Sequence, residues 1–129
     1  MENQKKLAIY LNHFTANSIE YVTKAKLMKT IKSDFNQLEK QKILQKGESH
    51  LHHKEQHLQH QFYKEISDSS VGFATVMLFG PTTAKSELKT ILSNDNRFSD
   101  VEVSLKITDK LDLKEQIAFV NNFFYIDTK

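Results

Sequence analysis

The chain has 129 residues and no cysteine, no tryptophan, one proline, three glycines and one arginine. Without cysteine there can be neither a disulfide framework nor a thiolate site, and a reducing cytoplasm is the expected compartment. The single proline, Pro81, leaves no Pro-rich linker, so residues 1–129 are expected to form one domain. That length can bury a core without disulfides or metals. No apolar run approaches the length needed to cross a bilayer, and the polar start at residues 1–6 lacks the apolar centre of a signal peptide. A soluble protein with no membrane partner is therefore expected. The lone Arg97 weakens the case for a dedicated phosphate-binding surface, because arginine is the usual forked partner of phosphate.

The charge that is present is unevenly spread. The formal net charge is +2, but residues 1–65 hold 11 lysines against 7 carboxylates, a surplus of four. Residues 66–129 hold 7 cations against 9 carboxylates, a deficit of two. All six histidines lie in the first half. This split suggests one face that tolerates an anionic partner such as RNA.

The clearest local signal is residues 71–92, VGFATVMLFGPTTAKSELKTIL. Residues 73–79 read as a strand covered on both faces. Gly80 permits unusual backbone angles and Pro81 cannot donate to a ladder, so pairing should stop there. Thr82 or Thr83 can then cap a helix over 83–93. Such a turn lies at the carboxyl end of a sheet, where α/β proteins usually bind ligands, and its outward amides make Gly80, Thr82 and Thr83 a candidate anion site. Capping preference alone also accounts for the threonines.

Upstream, residues 7–11 (LAIYL) and 18–23 (SIEYVT) read as a hairpin joined by a turn at 12–17, and 26–35 as a third strand, with a helix as the alternative. Residues 36–61 hold only five apolar side chains among 26. Gly47 divides them into a mobile polar loop, about 36–49, and a helix from His50 to about Ser67. After a polar connection at 94–100, residues 101–107 alternate as a strand with one face in the core. Asp112 can cap a last helix carrying Leu113, Ile117, Val120 and Phe124 at helical spacing. The order βββαβαβα, with the first three strands antiparallel and the last two parallel, suggests a three-layer α/β/α arrangement on a mixed five-stranded sheet.

His50, His53, His57 and His60 recur at intervals of three, four and three. On a helical projection, Leu58, Phe62 and Ile66 fall within about 60° of Leu51, while His53, His57, His60 and Lys64 fall at about 180° to 240°. The histidines thus form a stripe opposite the buried face. His53 and His57 could chelate zinc, nickel or copper, but a functional zinc site needs a third ligand. A hydrolytic zincin places Glu directly after the first His; here Lys54 follows His53, and Glu55 comes one place late. The stripe therefore reads as a solvated or anion-facing surface, and neither a metal site nor a cofactor is assigned.

The hairpin LAIYLNHFTANSIEYV, the polar loop, the helix HLHHKEQHLQHQFYKEI and the segment ATVMLFGPTTAKSELKTIL follow one another in a telling order. Over residues 5–125 they resemble the middle domain of eukaryotic and archaeal class-I peptide-chain release factors. The resemblance extends to small bacterial release-factor-like proteins of the host-attachment type. It implies a ribonuclease-H-like α/β/α fold of the translational-machinery type. In release factors the loop before the long helix carries Gly-Gly-Gln, which helps position water at the peptidyl-tRNA ester. The corresponding residues here are Lys46, Gly47 and Glu48. A carboxylate in place of the amide lacks a donor and is repelled by the RNA backbone, which counts against peptidyl-tRNA hydrolysis. A chain of this length would also hold only the middle domain.

Three function classes follow. The first is a non-catalytic module bound to the ribosome or tRNA through Lys40, Lys42, Lys46, Gly47, Glu48, His53, Lys54 and His57. The second is a protein-interaction or homo-oligomeric role through Phe119, Phe123, Phe124 or Tyr125, which otherwise cover the sheet. The third is a metal-dependent nuclease, which needs acidic residues clustered at neighbouring strand ends. The first strand ends in Asn12, the fourth in Gly80-Pro81, and Glu20 stands alone in the hairpin. No nucleophile–base pair is evident, His13 reads as a solvated turn residue, and no catalytic residue is assigned.

Overall fold

Alternation along the first strand decides where the helices go. The computed structural model describes residues 5–33 and 48–127, with side chains described over 5–33 and 56–125. Strand β1 (Lys6–Leu11) sends Leu7, Ile9 and Leu11 to one face and Ala8 and Tyr10 to the other, as the two-residue repeat of a strand requires. The first set packs with Phe62 and Ile66 of α1 (Glu48–Ser69) and with Ala84, Leu88 and Leu92 of α2 (Ala84–Ser93). The second packs with Val120 and Phe124 of α3 (Leu113–Asp127). Completely buried side chains such as Phe62, Phe79 and Phe124 each contribute on the order of 2 kcal/mol of transfer free energy.

The remaining strands are β2 (Thr15–Tyr21), β3 (Ala25–Lys32), β4 (Thr75–Gly80) and β5 (Glu102–Ile107). They form one five-stranded sheet in the order β3-β2-β1-β4-β5. β1 pairs antiparallel with β2, and β2 with β3; β1 with β4 and β4 with β5 are parallel. The mixed sheet and element order therefore match the sequence reading. The central strands β1 and β4 are buried along almost their whole length, which explains the unbroken apolar run before Gly80. At the edge, β5 turns Val103 and Leu105 toward the core, while Ile107 runs past it and is 85% exposed.

Several boundaries differ from expectation for identifiable reasons. The hairpin turn is shorter than 12–17, and β2 begins at Thr15. The Asn12 side-chain oxygen accepts from the amides of Phe14 (2.7 Å) and Thr15 (2.9 Å), closing the turn within a few residues. α1 begins at Glu48, two residues before the expected start; the rest of the proposed mobile loop lies outside the described residues. β4 begins at Thr75 because Gly72, with φ +101, bends the chain before the ladder. The connection at 94–100 is not wholly polar: a 3-10 turn, Asn96–Phe98, buries Phe98 in the core. The cap on α3 is as expected and is reciprocal, the Glu115 amide donating to Asp112 Oδ1 (2.8 Å) and the Asp112 amide to Glu115 Oε1 (2.9 Å). Leu113 nevertheless faces solvent, because Leu111 takes the core position and is tied there by its amide to the Tyr10 hydroxyl, 2.8 Å.

Candidate nucleic-acid interface

The carboxyl ends of β1 and β4 lie side by side, and their junction explains Gly80. Its φ is +146, and a Cβ there would lie 2.5 Å from the Leu11 carbonyl oxygen. Only glycine lets β1 and β4 approach this closely while the chain leaves for α2. Gly80, Thr82 and Thr83 share this turn, as expected. Thr83 is the cap residue but makes no side-chain capping bond. Thr82 does that work, its hydroxyl accepting from the Ala84 amide at 3.2 Å. The amides of Ser86 and Glu87 turn inward to the Thr83 carbonyl. Lys85 is buried and donates to the Thr82 carbonyl at 2.6 Å, and the first turn carries its own carboxylate, Glu87.

Glu87 is the centre of a cluster that sequence reasoning missed. The Tyr63 hydroxyl donates to Glu87 Oε1 at 2.6 Å, and His13 Nε2 lies 3.4 Å from Oε2. Gln59 Nε2 donates to the His13 carbonyl at 3.2 Å. Burial first, and then the bond to the Glu87 carboxylate and its charge, holds the Tyr63 phenol well above its ordinary pKa, so it stays a neutral donor. His13 is thus a tethered residue rather than a free turn histidine. The partners lie 74 and 24 positions from Glu87, so no local spacing could reveal them. The only hint was a histidine and a phenylalanine, His13-Phe14, at the carboxyl end of a buried strand. With Phe14, Gln56 and Gln59, His13 and Glu87 line a cleft of about 380 Å³.

The bond from Gln59 sets α1 level with the β1–β2 turn. Helical residues 48–58, about 16 Å at 1.5 Å per residue, therefore lead past the end of the sheet. Leu58, Phe62 and Ile66 are buried, whereas His57, His60 and Lys64 are exposed and line a second cleft with Gln56 and Gln61. The described part of the histidine stripe thus faces away from the core, as the projection indicated. Of the other candidate residues, Lys40, Lys42, Lys46 and Gly47 lie outside the described residues. Glu48 is the first residue of α1; His53 and Lys54 follow within it.

Arg97 has a structural role. Its guanidinium holds Asp95 (2.7 Å) and Asp68 (3.1 Å), tying the 3-10 turn to the end of α1, and Lys64 adds a bond to Asp68 at 3.1 Å. These cations hold both carboxyls below the usual range, Lys64 acting most strongly on Asp68 and Arg97 on Asp95. Glu20 is 4.0 Å from Lys5, and among the described residues no three His, Asp or Glu side chains converge to hold a metal ion. The aromatic residues of α3 serve the core: Phe119 stacks on Phe79 at 4.9 Å and Phe124 is buried, leaving Tyr125 exposed. No helix among the described residues is long and apolar enough to cross a membrane.

No protein-family profile matches the chain. No curated protein matches it in sequence either. Solved structures do. Pelota from Archaeoglobus fulgidus aligns with a TM-score of 0.60 at 10% identity, covering 92% of this chain and 31% of that one. An archaeal translation termination factor, aRF1, aligns with a TM-score of 0.59 at 13% identity, covering 94% of this chain and 35% of its own length. The chain thus spans about a third of each protein it resembles, and what it shares with them is a release-factor-like mixed α/β fold.

Proposed function

We propose that this chain is a single-domain, non-catalytic module that binds RNA or the ribosome in the bacterial cytoplasm. In this reading it corresponds to the middle domain of class-I release factors and to small bacterial proteins of that type. Its fold would then be of the ribonuclease-H-like, three-layer kind. The observation that carries the proposal is the fold shared with a translation termination factor over 94% of the chain. The helix that leads past the sheet, with its exposed histidines, supports it. The proposed contacts are Lys40, Lys42, Lys46, Gly47, Glu48, His53, Lys54 and His57, with ribosome or tRNA as partner.

The test is binding to ribosomes and tRNA as a function of salt. Each phosphate contact should steepen the decline of affinity by nearly one log unit per log unit of salt. Replacing Lys42, Lys46 and Lys54 together with Glu should abolish binding and leave the fold intact. Absence of affinity at roughly 50 mM salt, where such contacts are strongest, would refute the reading. Ester hydrolysis by the wild type, lost on Glu48→Ala, would replace it with an enzymatic one. The second reading, a protein-interaction or homo-oligomeric role, draws on exposed Leu113 and Tyr125 of α3. A monomeric mass by light scattering at micromolar concentration would remove its oligomeric form.

A further inference from the structure

We propose that the cleft between the β1–β2 turn, α1 and the start of α2 receives one unpaired guanine base of a bound RNA strand. The proposal rests on the RNA-binding reading above and deepens it. Phe14 lines this cleft and is 49% exposed, in a turn where Asn12 already satisfies the amides of Phe14 and Thr15. The half of the ring left in water adds no burial to the fold and offers a stacking surface for a base. The cleft, about 380 Å³, has room for a two-ring base.

The polar groups select which base. Glu87 has a side chain 48% exposed and a carboxylate held by Tyr63 on one oxygen and by His13 on the other. Each carboxylate oxygen keeps capacity for a further bond. Gln56 and Gln59 of α1 also line the cleft, and the Gln59 amide spends one of its two N–H groups on the His13 carbonyl. The pairing edge of guanine presents a carbonyl acceptor followed by two adjacent N–H donors. A Gln amide donating to the carbonyl, with the two carboxylate oxygens accepting from the N–H groups, complements that order. Adenine, cytosine and uracil each place an acceptor where a carboxylate would repel it. The same negative charge excludes phosphate from the cleft, so the RNA backbone must run outside. Gln56 also lines the neighbouring groove with His57, His60, Gln61 and Lys64, whose side chains offer the backbone hydrogen-bond donors and one lysine.

The experiment uses the full chain and two readouts. In the first, fluorescence anisotropy compares a uridine oligomer of about twelve nucleotides with one carrying a single central guanosine. Stacking and edge recognition together should tighten binding about tenfold, with inosine, which lacks one N–H donor, intermediate. Phe14→Ala and Glu87→Gln should each reduce the guanosine complex to the uridine affinity without changing the salt slope. A guanosine preference below about twofold, or one that survives both substitutions, overturns the pocket while leaving uridine binding, and hence the RNA reading, in place. In the second readout, free guanosine, adenosine, cytidine and uridine are titrated by amide NMR, which needs no backbone affinity. Shifts at His13, Phe14, Gln56, Gln59 and Glu87 with guanosine alone support the pocket even if oligomers fail to bind. Their absence, or equal shifts with all four nucleosides, overturns it.

Discussion

Gly80→Ala should be among the most damaging small substitutions in the chain, and Gly72→Ala shows why. Both glycines have positive φ, +146 and +101, where an L side chain is strained. That strain is worth on the order of 1–3 kcal/mol at either site, offset by up to about 1 kcal/mol from stiffening the unfolded chain. Around Gly72 a Cβ would meet nothing within 4 Å, so strain is the whole effect, a net loss of about 1 kcal/mol. At Gly80 the added carbon would lie 2.5 Å from the Leu11 carbonyl oxygen. That atom belongs to the backbone of β1, which is held on both sides by β2 and β4 and cannot rotate away. Relief requires prying apart the parallel β1–β4 pair at the end where Glu87 and His13 meet. We expect a total loss of about 3 kcal/mol or more, comparable to overpacking a core, and a fall in melting temperature of roughly 10 °C for a domain of this size. Urea unfolding of the two variants, fitted with a common slope, measures the difference. If Gly80→Ala comes within about 1 kcal/mol of Gly72→Ala, the close approach of the two strands is not what glycine serves there.

Tyr63→Phe removes the donor to Glu87 and should cost about 1 kcal/mol near neutral pH, a value discounted for the half-exposed carboxylate. Because the folded state raises the Tyr63 pKa, its contribution is full below the unfolded value near 10 and is lost as pH rises beyond it. The stability gap between wild type and Tyr63→Phe should therefore narrow above about pH 10; a constant gap in alkaline denaturation curves would contradict this. Asp68 and Asp95 have lowered pKa values, so their contribution is present above the ordinary carboxyl range and disappears as pH falls through it. Arg97→Gln should accordingly flatten the acid limb of a stability–pH profile between about pH 5 and 2, and an unchanged limb would show that the cluster does not matter to folding. Replacing His57 and His60 with Gln should alter stability by less than about 0.5 kcal/mol. It should also leave the melting temperature in zinc unchanged, whereas a zinc-dependent rise lost in the variant would reveal a metal site.

What could be read from the sequence was whatever is encoded over a few neighbouring residues. The capping pair Asp112 and Glu115 is three residues apart, and both of its bonds are local, so the start of α3 was legible. The apolar run ending at Gly80-Pro81 carried the central strand and the helix after it. The exposure of His57 and His60 followed from helical phase. The failures share a different cause. Leu113 fits the helical repeat, yet the chain enters α3 with Leu111 already in the core, and one turn of phase says nothing about where packing begins. Phe98 sits among polar residues and is buried because the 3-10 turn brings it under β5 and α2. Arg97 looked like a solitary cation and is instead shared by two carboxylates from separate elements. His13, Tyr63 and Glu87 come from a turn and two helices and meet only because β1 and β4 are parallel neighbours.

That meeting has a consequence for how α1 is held. Among the bonds that fasten the helix to the rest of the molecule are those of Gln59 to the His13 carbonyl, Tyr63 to Glu87, and Asp68 to Arg97. Gln59 and Tyr63 are four residues apart and lie one turn above the other beside the apolar seam of Phe62 and Ile66, whereas Asp68 lies about 140° further round the helix, on the side of Lys64. These bonds lie in the part of α1 that crosses the sheet, and the first of them coincides with the level of the β1–β2 turn. The helix therefore leaves the sheet from a fixed base, with its direction set by side chains on both neighbouring elements. A displacement of the leading residues acts first on Gln59 and His13, and through them on Glu87, which is one wall of the cleft beside Phe14. A partner at the far end of α1 and a ligand in that cleft, as proposed above, would therefore depend on the same few bonds. Tyr63→Phe, which loosens the bond to Glu87, should then weaken both proposed contacts, and unchanged affinity at both would show that the tether does not couple them.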